Sequence, residues 1–227
     1  MEVPGVKAVV FDLDGTLVDS APDLHAAALA MLAADSLPPI TFAQTRSFIG
    51  NGVPTLVARI MAAVGLPEDP DRHADMVTAF LRSYNAAPDN LTTLYPGALR
   101  TLQQLEALGC PMALCTNKPE APARAILDSF DLSRFLPVVI GGDTLAVKKP
   151  DPAPLRAALD GLGVESCLYV GDSEVDAATA QASGQPFALY SEGYRKSPVE
   201  QIPHQHLFDH FDALPGIVET ALRLPAA

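Results

Sequence analysis

Cysteine is scarce in this sequence, whose 227 residues include only three: Cys110, Cys115 and Cys167. They form no CxxC pair and have no histidine nearby, so the pattern does not indicate a zinc site. Their odd number, and the position of two of them inside apolar segments, favour buried, reduced thiols over a disulfide. We therefore expect the protein to work in a reducing compartment, most simply the cytoplasm.

Basic residues are also few, 15 against 27 acidic ones, and the formal net charge is −12. Nucleic-acid binding depends on clustered lysine and arginine, so this balance argues against nucleic acid as the main partner. It leaves room for a small phosphorylated ligand, because a local basic site is enough to bind one phosphate group.

Long hydrophobic runs are absent as well. No apolar stretch reaches the roughly 18 residues that a membrane-spanning helix needs. The first residues lack the succession of basic, apolar and small segments that is typical of a signal peptide. We expect no membrane partner, and the sequence leaves both a monomer and a homodimer open.

Short apolar segments alternate with helical patterns along most of the chain. The first such segment, 6–11, is rich in valine and ends at Asp12, as is typical of a strand buried on both faces of a parallel sheet. Similar segments lie at 112–115, 138–140, 167–170 and 187–189, and helical patterns lie between them at 97–108, 121–130, 153–160 and 175–182. This alternation predicts an α/β fold with a doubly wound parallel sheet, a Rossmann-like core.

The segment 19–94 interrupts the alternation. Its apolar pattern predicts four successive helices without a convincing strand, at 22–34, 42–49, 53–64 and 71–84. Proline-containing turns separate the first helix from the second and the third from the fourth. We expect an all-helical cap of residues 19–94, inserted into a catalytic core made of residues 1–18 and 95–227.

Polar residues follow the predicted strands at their carboxyl ends, where open parallel sheets bind ligands. Asp12 and Asp14 follow the first strand and, being two positions apart, face the same side of an extended segment. The later strand ends carry Thr116, Asn117, Lys149 and Asp172, with Asp176 in the helix that comes next. Each residue alone is better explained as a helix cap, loop or surface residue. Together they predict one functional site.

The composition of this predicted site indicates phosphoryl chemistry. Carboxylates that lie close together repel one another unless a cation joins them, and oxygen ligands suit Mg²⁺. A divalent ion, a lysine and a hydroxyl together can receive a phosphoryl group. Because no histidine, cysteine or serine stands where a conventional triad needs it, the available nucleophile is a carboxylate, which can form an acyl phosphate.

These segments, in this order and over nearly the whole chain, resemble the four motifs of the haloacid dehalogenase superfamily. The resemblance implies that Asp12 is the nucleophile and a Mg²⁺ ligand, and that Asp14 is the general acid–base, with its main-chain carbonyl also on Mg²⁺. It implies further roles for five residues: Thr116, Asn117 and Lys149 bind phosphate, Asp172 binds Mg²⁺, and Asp176 orients the metal ligands. Lys149 is chosen over Lys148 because it directly precedes Pro150, as in the family's Lys-Pro motif.

Asp14 also bears on the type of reaction. True dehalogenases of the superfamily lack an acid–base aspartate two residues after the nucleophile, so the resemblance implies a phosphatase or a phosphomutase. Asp12 would attack phosphorus, and Asp14 would protonate the leaving alkoxide and then activate the hydrolytic water. The alternatives are a sugar phosphomutase, a phosphatase for another sugar phosphate or pyrophosphate, and a non-catalytic binding protein with the same fold.

Weaker features are similar to those of one group in the superfamily, the bacterial phosphoglycolate phosphatases. They lie at 19–24, 49–52, 95–97, 148–150 and 193–194, and they imply the small metabolite 2-phosphoglycolate as substrate. Arg46 and Arg59 in the cap are candidates for binding a substrate carboxylate, although each is more simply a surface residue. His204, His206 and His210 lie in a polar segment that we expect to be a solvated loop.

Overall fold

The computed structural model of the protein describes residues 7–86 and 90–223, with the backbone alone described at 222 and 223. Residue 6, where the first strand is predicted to begin, lies outside the described residues, as do the outer ends of the predicted core. In the described ranges the strands and α-helices run β1 (Ala8–Phe11), β2 (Val18–Asp19), α1 (Ala21–Ala34), α2 (Phe42–Phe48), α3 (Val53–Ala63), α4 (Pro70–Asn85), β3 (Thr93–Leu94), α5 (Ala98–Ala107), β4 (Met112–Cys115), α6 (Glu120–Ser129), β5 (Val138–Ile140), α7 (Ala153–Leu162), β6 (Cys167–Gly171), α8 (Glu174–Ser183), β7 (Phe187–Tyr190), β8 (His206–Phe208) and α9 (Leu214–Arg223).

Six of these strands form one parallel sheet in the order β5-β4-β1-β6-β7-β8. The first strand of the chain therefore lies inside the sheet, between β4 and β6. Its last residue, Phe11, pairs with Leu114 on one side and with Val170 on the other. Because these three strands are parallel and nearly in register, the residues that follow them meet at one edge.

Both faces of the sheet are covered, which explains the uninterrupted apolar character of β1. Val9 and Phe11 belong to an apolar cluster with α5, α6 and α9, whereas Ala8 and Val10 belong to a second cluster with α7 and α8. Burial of one such large side chain stabilises a fold by about 1.5–3 kcal/mol. The prediction of a doubly wound α/β core is confirmed.

Helices α1–α4 and the loops between them build a third apolar cluster of their own, to which the described residues outside 21–85 contribute one buried residue, Tyr194. Their ends are set by local signals: Thr41 and Gln44 form a reciprocal cap at the start of α2, and the Asp69 side chain accepts from two N–H groups at the start of α4. The four helices agree with those predicted. Their separate cluster supports the predicted division at residues 19 and 94, which stays a prediction.

Four elements differ from the sequence-based expectation. Strands β2 and β3 pair antiparallel, Val18 with Leu94 and Asp19 with Thr93, where no strand was predicted after residue 19. His206 lies in the edge strand β8 rather than in a loop, and helix α9 was not predicted. Two- and three-residue strands are too short to show a period in the sequence, so pattern reasoning misses them.

Two expectations based on composition concern the cysteine thiols and membrane-spanning helices. The thiols of Cys110, Cys115 and Cys167 are free and buried, as predicted. Within residues 7–86 and 90–223, the helices are all too short or too polar to cross a bilayer.

Candidate active site

Asp12 follows β1 directly and lies in a buried ion-pair network. Lys149 Nζ lies 3.0 Å from Asp12 Oδ1 and 2.7 Å from Asp176 Oδ1, and it also donates to the Tyr169 hydroxyl at 2.8 Å. Burial raises the pKa of Asp12 to about 6, an effect that the Lys149 ammonium opposes and the Asp176 carboxylate reinforces. The neighbouring Lys148 points elsewhere, since its Nζ donates to the Asn51 carbonyl at 2.7 Å.

Asp176 is fully buried and saturated with hydrogen-bond donors. Its Oδ1 accepts from Lys149 and Tyr169, and its Oδ2 accepts from the N–H and the hydroxyl of Ser173. The bond from the Ser173 N–H belongs to the reciprocal cap at the start of α8, so the helix start fixes this carboxylate in place. With four donors already bound, Asp176 is suited to orienting its neighbours rather than to binding a metal directly.

Asp172 follows β6 and is held by two donors. Thr16 donates its hydroxyl to Asp172 Oδ1 at 2.8 Å, and the Tyr194 N–H donates to Oδ2 at 2.6 Å. Burial raises the pKa of Asp172, and the charges of Asp176 and Asp12 raise it further. Gly15 approaches this carboxylate closely: a Cβ at Gly15, where φ is +89°, would lie 2.5 Å from Asp172 Oδ2.

The donor set fits a divalent cation. Asp12, Asp172 and Asp176 each offer a carboxylate oxygen, and these atoms lie within 4.8 Å of one another. Lys149 is paired with Asp12 and Asp176, yet Asp12 Oδ1 is buried and receives no well-directed hydrogen bond. A small hard cation at Asp12 and Asp172 would relieve the repulsion among the carboxylates and satisfy this oxygen.

Asp14 faces a different cation from Asp12. Lys118 Nζ lies 2.9 Å from Asp14 Oδ1 and 3.1 Å from Oδ2, and Ser20 donates its hydroxyl to Oδ1. The Asp14 carboxylate is therefore not part of the three-carboxylate group. Only the main-chain carbonyl of Asp14 is left for the metal role that the resemblance implies.

Thr116 and Asn117 follow β4 at the same edge of the sheet. The buried Thr116 hydroxyl oxygen accepts from the Lys118 N–H at 3.3 Å. Asn117 Nδ2 donates to the Gly50 carbonyl at 3.1 Å and to the Lys149 carbonyl at 3.0 Å, while its buried Oδ1 has no partner. The side-chain N–H groups of Asn117 thus hold the backbone, and its Oδ1, an acceptor, repels phosphate oxygens.

A cavity of about 40 Å³ lies between this edge of the sheet and helices α1–α4. Asp12, Asp14 and Thr116 line its polar side. The facing side is apolar and includes Leu24, Leu56 and Leu81. Binding pockets for drug-sized ligands measure roughly 300–1,000 Å³, so this cavity is suited to a much smaller molecule.

Sequence reasoning missed three residues of this region: Thr16, Lys118 and Tyr169. Lys118 lies two positions after Thr116, so alternation along the strand end was a signal that could have identified it. Thr16 and Tyr169 carry no such signal, because their partners are distant in the sequence.

Arg46 and Arg59, the two candidate arginines in the predicted cap, form hydrogen bonds with other residues of the protein. Arg46 donates to the carbonyls of Glu192 and Gly193, and Arg59 donates to the Phe48 carbonyl and to Asn51 Oδ1. Neither of them lines the cavity.

The chain is similar to known proteins over nearly its whole length. The profile of the haloacid dehalogenase-like hydrolases matches residues 6–184. A phosphoglycolate phosphatase from Cereibacter sphaeroides is 52% identical over 217 residues, covering 96% of this chain and 100% of that protein. Another from Rhodobacter capsulatus is 46% identical, covering 93% of this chain and 96% of that protein.

A solved structure is similar over the same extent. The crystal structure of a predicted phosphoglycolate phosphatase from Haemophilus somnus 129pt superposes with a TM-score of 0.89 at 30% identity. The match covers 95% of this chain and 99% of that one, so it includes both the sheet and helices α1–α4.

Proposed function

Because the chain belongs to the haloacid dehalogenase-like hydrolases and is a phosphatase, we propose that it hydrolyses 2-phosphoglycolate through an aspartyl-phosphate intermediate, with Mg²⁺ as its cofactor. The observation that carries this proposal is the buried carboxylate of Asp12, which lines a small cavity next to Asp14 and Thr116 and whose Oδ1 has an ion pair with Lys149 but no well-directed hydrogen bond. The similarity to phosphoglycolate phosphatases over 96% of the chain supports the choice of substrate.

In the proposed first step, a carboxylate oxygen of Asp12 attacks phosphorus and the bond from phosphorus to the ester oxygen breaks. Asp14 gives its proton to the departing alkoxide, and the product alcohol leaves. Lys149 holds Asp12 in place and offsets the negative charge on the phosphoryl group. Thr116 donates its hydroxyl to a phosphoryl oxygen, and for Asn117 the main-chain N–H is the donor we assign.

In the second step, water attacks phosphorus from the side that the alkoxide has left. Asp14, now ionised, takes a proton from this water, the bond from phosphorus to Asp12 breaks, and inorganic phosphate is released. Asp14 is suited to both tasks because Lys118 and Ser20 fix its carboxyl group.

The proposed Mg²⁺ site consists of the Asp12 and Asp172 carboxylates and the Asp14 main-chain carbonyl. Mg²⁺ supplies positive charge that offsets the charge of the phosphoryl oxygens and of the nucleophile. Asp176 orients this set through Lys149 and the start of α8. We further assign residues 1–18 and 95–227 to the catalytic core and 19–94 to a cap that shields the reaction from water.

The test is phosphate release from a panel of esters, with and without Mg²⁺: 2-phosphoglycolate, hexose phosphates, nucleotides and pyrophosphate. We expect kcat/KM for 2-phosphoglycolate to exceed every other value and to require Mg²⁺. A flat profile contradicts the substrate, and activity that survives chelation contradicts the cofactor.

Asp12→Asn is the control for the nucleophile in the same panel. It removes the attacking oxygen while keeping the shape of the side chain, so activity should vanish while the folded state persists. A product phosphorylated at a new position, with little free phosphate, would instead indicate a phosphomutase.

A further inference from the structure

Lys118 is a buried cation to which the proposed reaction assigns only one task, fixing the Asp14 carboxyl group. Its side chain is 3% exposed, and its Nζ contacts Asp14 and lies 4.7 Å from the centre of the Tyr84 ring, on helix α4. Both oxygens of the Asp14 carboxylate lie within an ion-pair distance of Nζ, at 2.9 and 3.1 Å, and this pairing favours the charged form of Lys118. The side chain is therefore an ammonium ion in the interior.

The proposed reaction indicates where this ammonium lies relative to the leaving group of the substrate. Asp14 lies next to the ester oxygen that it protonates, and Lys118 Nζ is 2.9 Å from Asp14 Oδ1. Lys118 is therefore close to the first atoms of the leaving group. Lys149, by contrast, is on the side of the nucleophile, with Asp12 and Asp176.

The rest of the cavity offers little to a charged leaving group. Among the described residues that line it, Lys118 is the only basic one, and the facing side consists mostly of apolar side chains from α1, α3 and α4, together with Tyr84 and the backbone of Gly50 and Gly52. A negative charge buried there without a cation would be strongly unfavourable. A leaving group that bears a carboxylate needs a cation, and Lys118 is placed to supply it.

We infer that Lys118 is the specificity-determining residue of this site and binds a carboxylate one carbon away from the ester oxygen of the substrate. This inference rests on the proposed phosphatase function and adds a residue that recognises the leaving group. A carboxylate so close to the ester oxygen stays within reach of a cation that contacts Asp14. A longer leaving group would extend past Lys118 to the apolar side chains on the facing side of the cavity.

The alternative role for Lys118 is to position Asp14 alone. The two roles differ in their dependence on substrate: loss of an Asp14 positioner slows every ester, whereas loss of a carboxylate receptor slows only the esters that carry a carboxylate. The informative quantity is therefore the ratio of kcat/KM for 2-phosphoglycolate to kcat/KM for 2-hydroxyethyl phosphate, in which CH₂OH replaces the carboxylate.

The variant for this experiment is Lys118→Gln, which removes the charge but keeps an N–H donor for Asp14. We expect the ratio to fall by about 10- to 100-fold, the effect of losing a hydrogen bond between charged groups. Lys118→Arg keeps the charge and should recover part of the ratio. The matched control is Lys148→Gln, a neighbouring lysine that does not line the cavity and should keep the wild-type ratio.

An unchanged ratio in Lys118→Gln, with both esters slowed equally, would overturn the inference and leave Lys118 as a positioning residue. A wild-type ratio near one would instead contradict the proposed substrate, so the two failures are distinguishable. If the Lys118 variants do not fold, a crystal structure of the wild type with 3-phosphonopropionate decides the matter. Its carboxylate should lie within hydrogen-bond distance of Lys118 Nζ, and any other position overturns the inference.

Discussion

Asp12 and Asp14 are two residues apart, yet each carboxylate contacts its own lysine. Lys149 pairs with Asp12 and Lys118 pairs with Asp14. Two carboxylates that share one site are otherwise driven to share a proton, because their charges repel. Separate cations are what the two different roles that we propose, nucleophile for Asp12 and proton transfer for Asp14, require.

Asp14→Asn should separate the two chemical steps. With p-nitrophenyl phosphate the leaving group needs no proton, so the first step should persist while hydrolysis of the intermediate slows by about 10²- to 10⁴-fold. Rapid mixing should then show a burst of about one p-nitrophenol per enzyme, followed by slow turnover. Asp12→Asn, the control, should show no burst, and a burst in that variant would disprove the assignment of the nucleophile.

Gly15→Ala should weaken the proposed metal site. The added Cβ would meet Asp172 Oδ2 at 2.5 Å and a Tyr194 ring carbon at 2.8 Å, so Asp172 must shift. We expect the Mg²⁺ concentration for half-maximal activity to rise about tenfold or more, since displaced ligand-orienting groups cost roughly that much affinity. Gly216→Ala is the control, because nothing lies near that position; an unchanged Mg²⁺ requirement in Gly15→Ala would contradict the proposed site.

The residues that sequence reasoning identified are those that share a strand end. Asp12, Asp172 and Lys149 could be placed at one edge because parallel strands end together, and the structure brings them together there. Alternation after Thr116 places Lys118 on the site side of the strand end, but its pairing with Asp14 could not be derived from that signal alone. Its burial depends on Tyr84, which is 34 positions earlier and on a helix whose packing the sequence does not reveal.

At the scale of elements, the carboxylate of Asp23 links α1, the first helix of the proposed cap, to the segment just before β3, through which the chain returns to the core. Asp23, in the first turn of α1, is buried and accepts from the Leu91 N–H, the Thr92 N–H and the Thr92 hydroxyl. These bonds lie beside the β2–β3 pair, where the chain leaves and re-enters the core. Asp23 therefore fixes the geometry of the connection.

Asp23→Ala should lower the free energy of unfolding by about 2 kcal/mol, because the buried Thr92 N–H loses its acceptor while water can reach Leu91. Urea denaturation measures this change. The control is Asp75→Ala, an exposed position on α4, which should change stability by less than about 0.5 kcal/mol. Equal effects of the two substitutions would show that the Asp23 contacts do not stabilise the fold.

Long elements were predictable and short ones were not. The predicted helix in the range 153–160 matches Ala153–Leu162, because apolar residues repeat at helical spacing over several turns. Strand β8 is three residues long, begins with His206 and exposes Leu207, so it shows no apolar run. It exists because its backbone pairs with β7, Ala188 with His206, which is a tertiary effect.

At the scale of the whole molecule, the reactivity of the three cysteine thiols measures whether the fold as a whole is unfolded. Burial raises the pKa of Cys110 to about 11 and that of Cys115 to about 12, and Cys167 is shifted upwards as well. At pH 8 about one Cys110 thiol in a thousand is ionised, and only the thiolate reacts. We expect Ellman's reagent to label none of the three in the native protein and all three in urea. Rapid labelling of even one native thiol would contradict its burial.

The central position of β1 has a consequence for synthesis on the ribosome. Its neighbours, β4 and β6, are complete only at Cys115 and Gly171, so this central strand waits for about 160 residues of further translation before both of its edges can pair. At 5–20 residues per second this delay lasts roughly 8–30 s. Until Cys115 is made, Val9, Val10 and Phe11 have no partner strand, and until Gly171 is made one edge of β1 stays unpaired, whereas α1–α4 can already pack on one another. The nascent chain therefore carries an unpaired, aggregation-prone strand, followed closely by a helical unit. Chaperone binding to the N-terminus is most needed in the interval before Gly171 emerges.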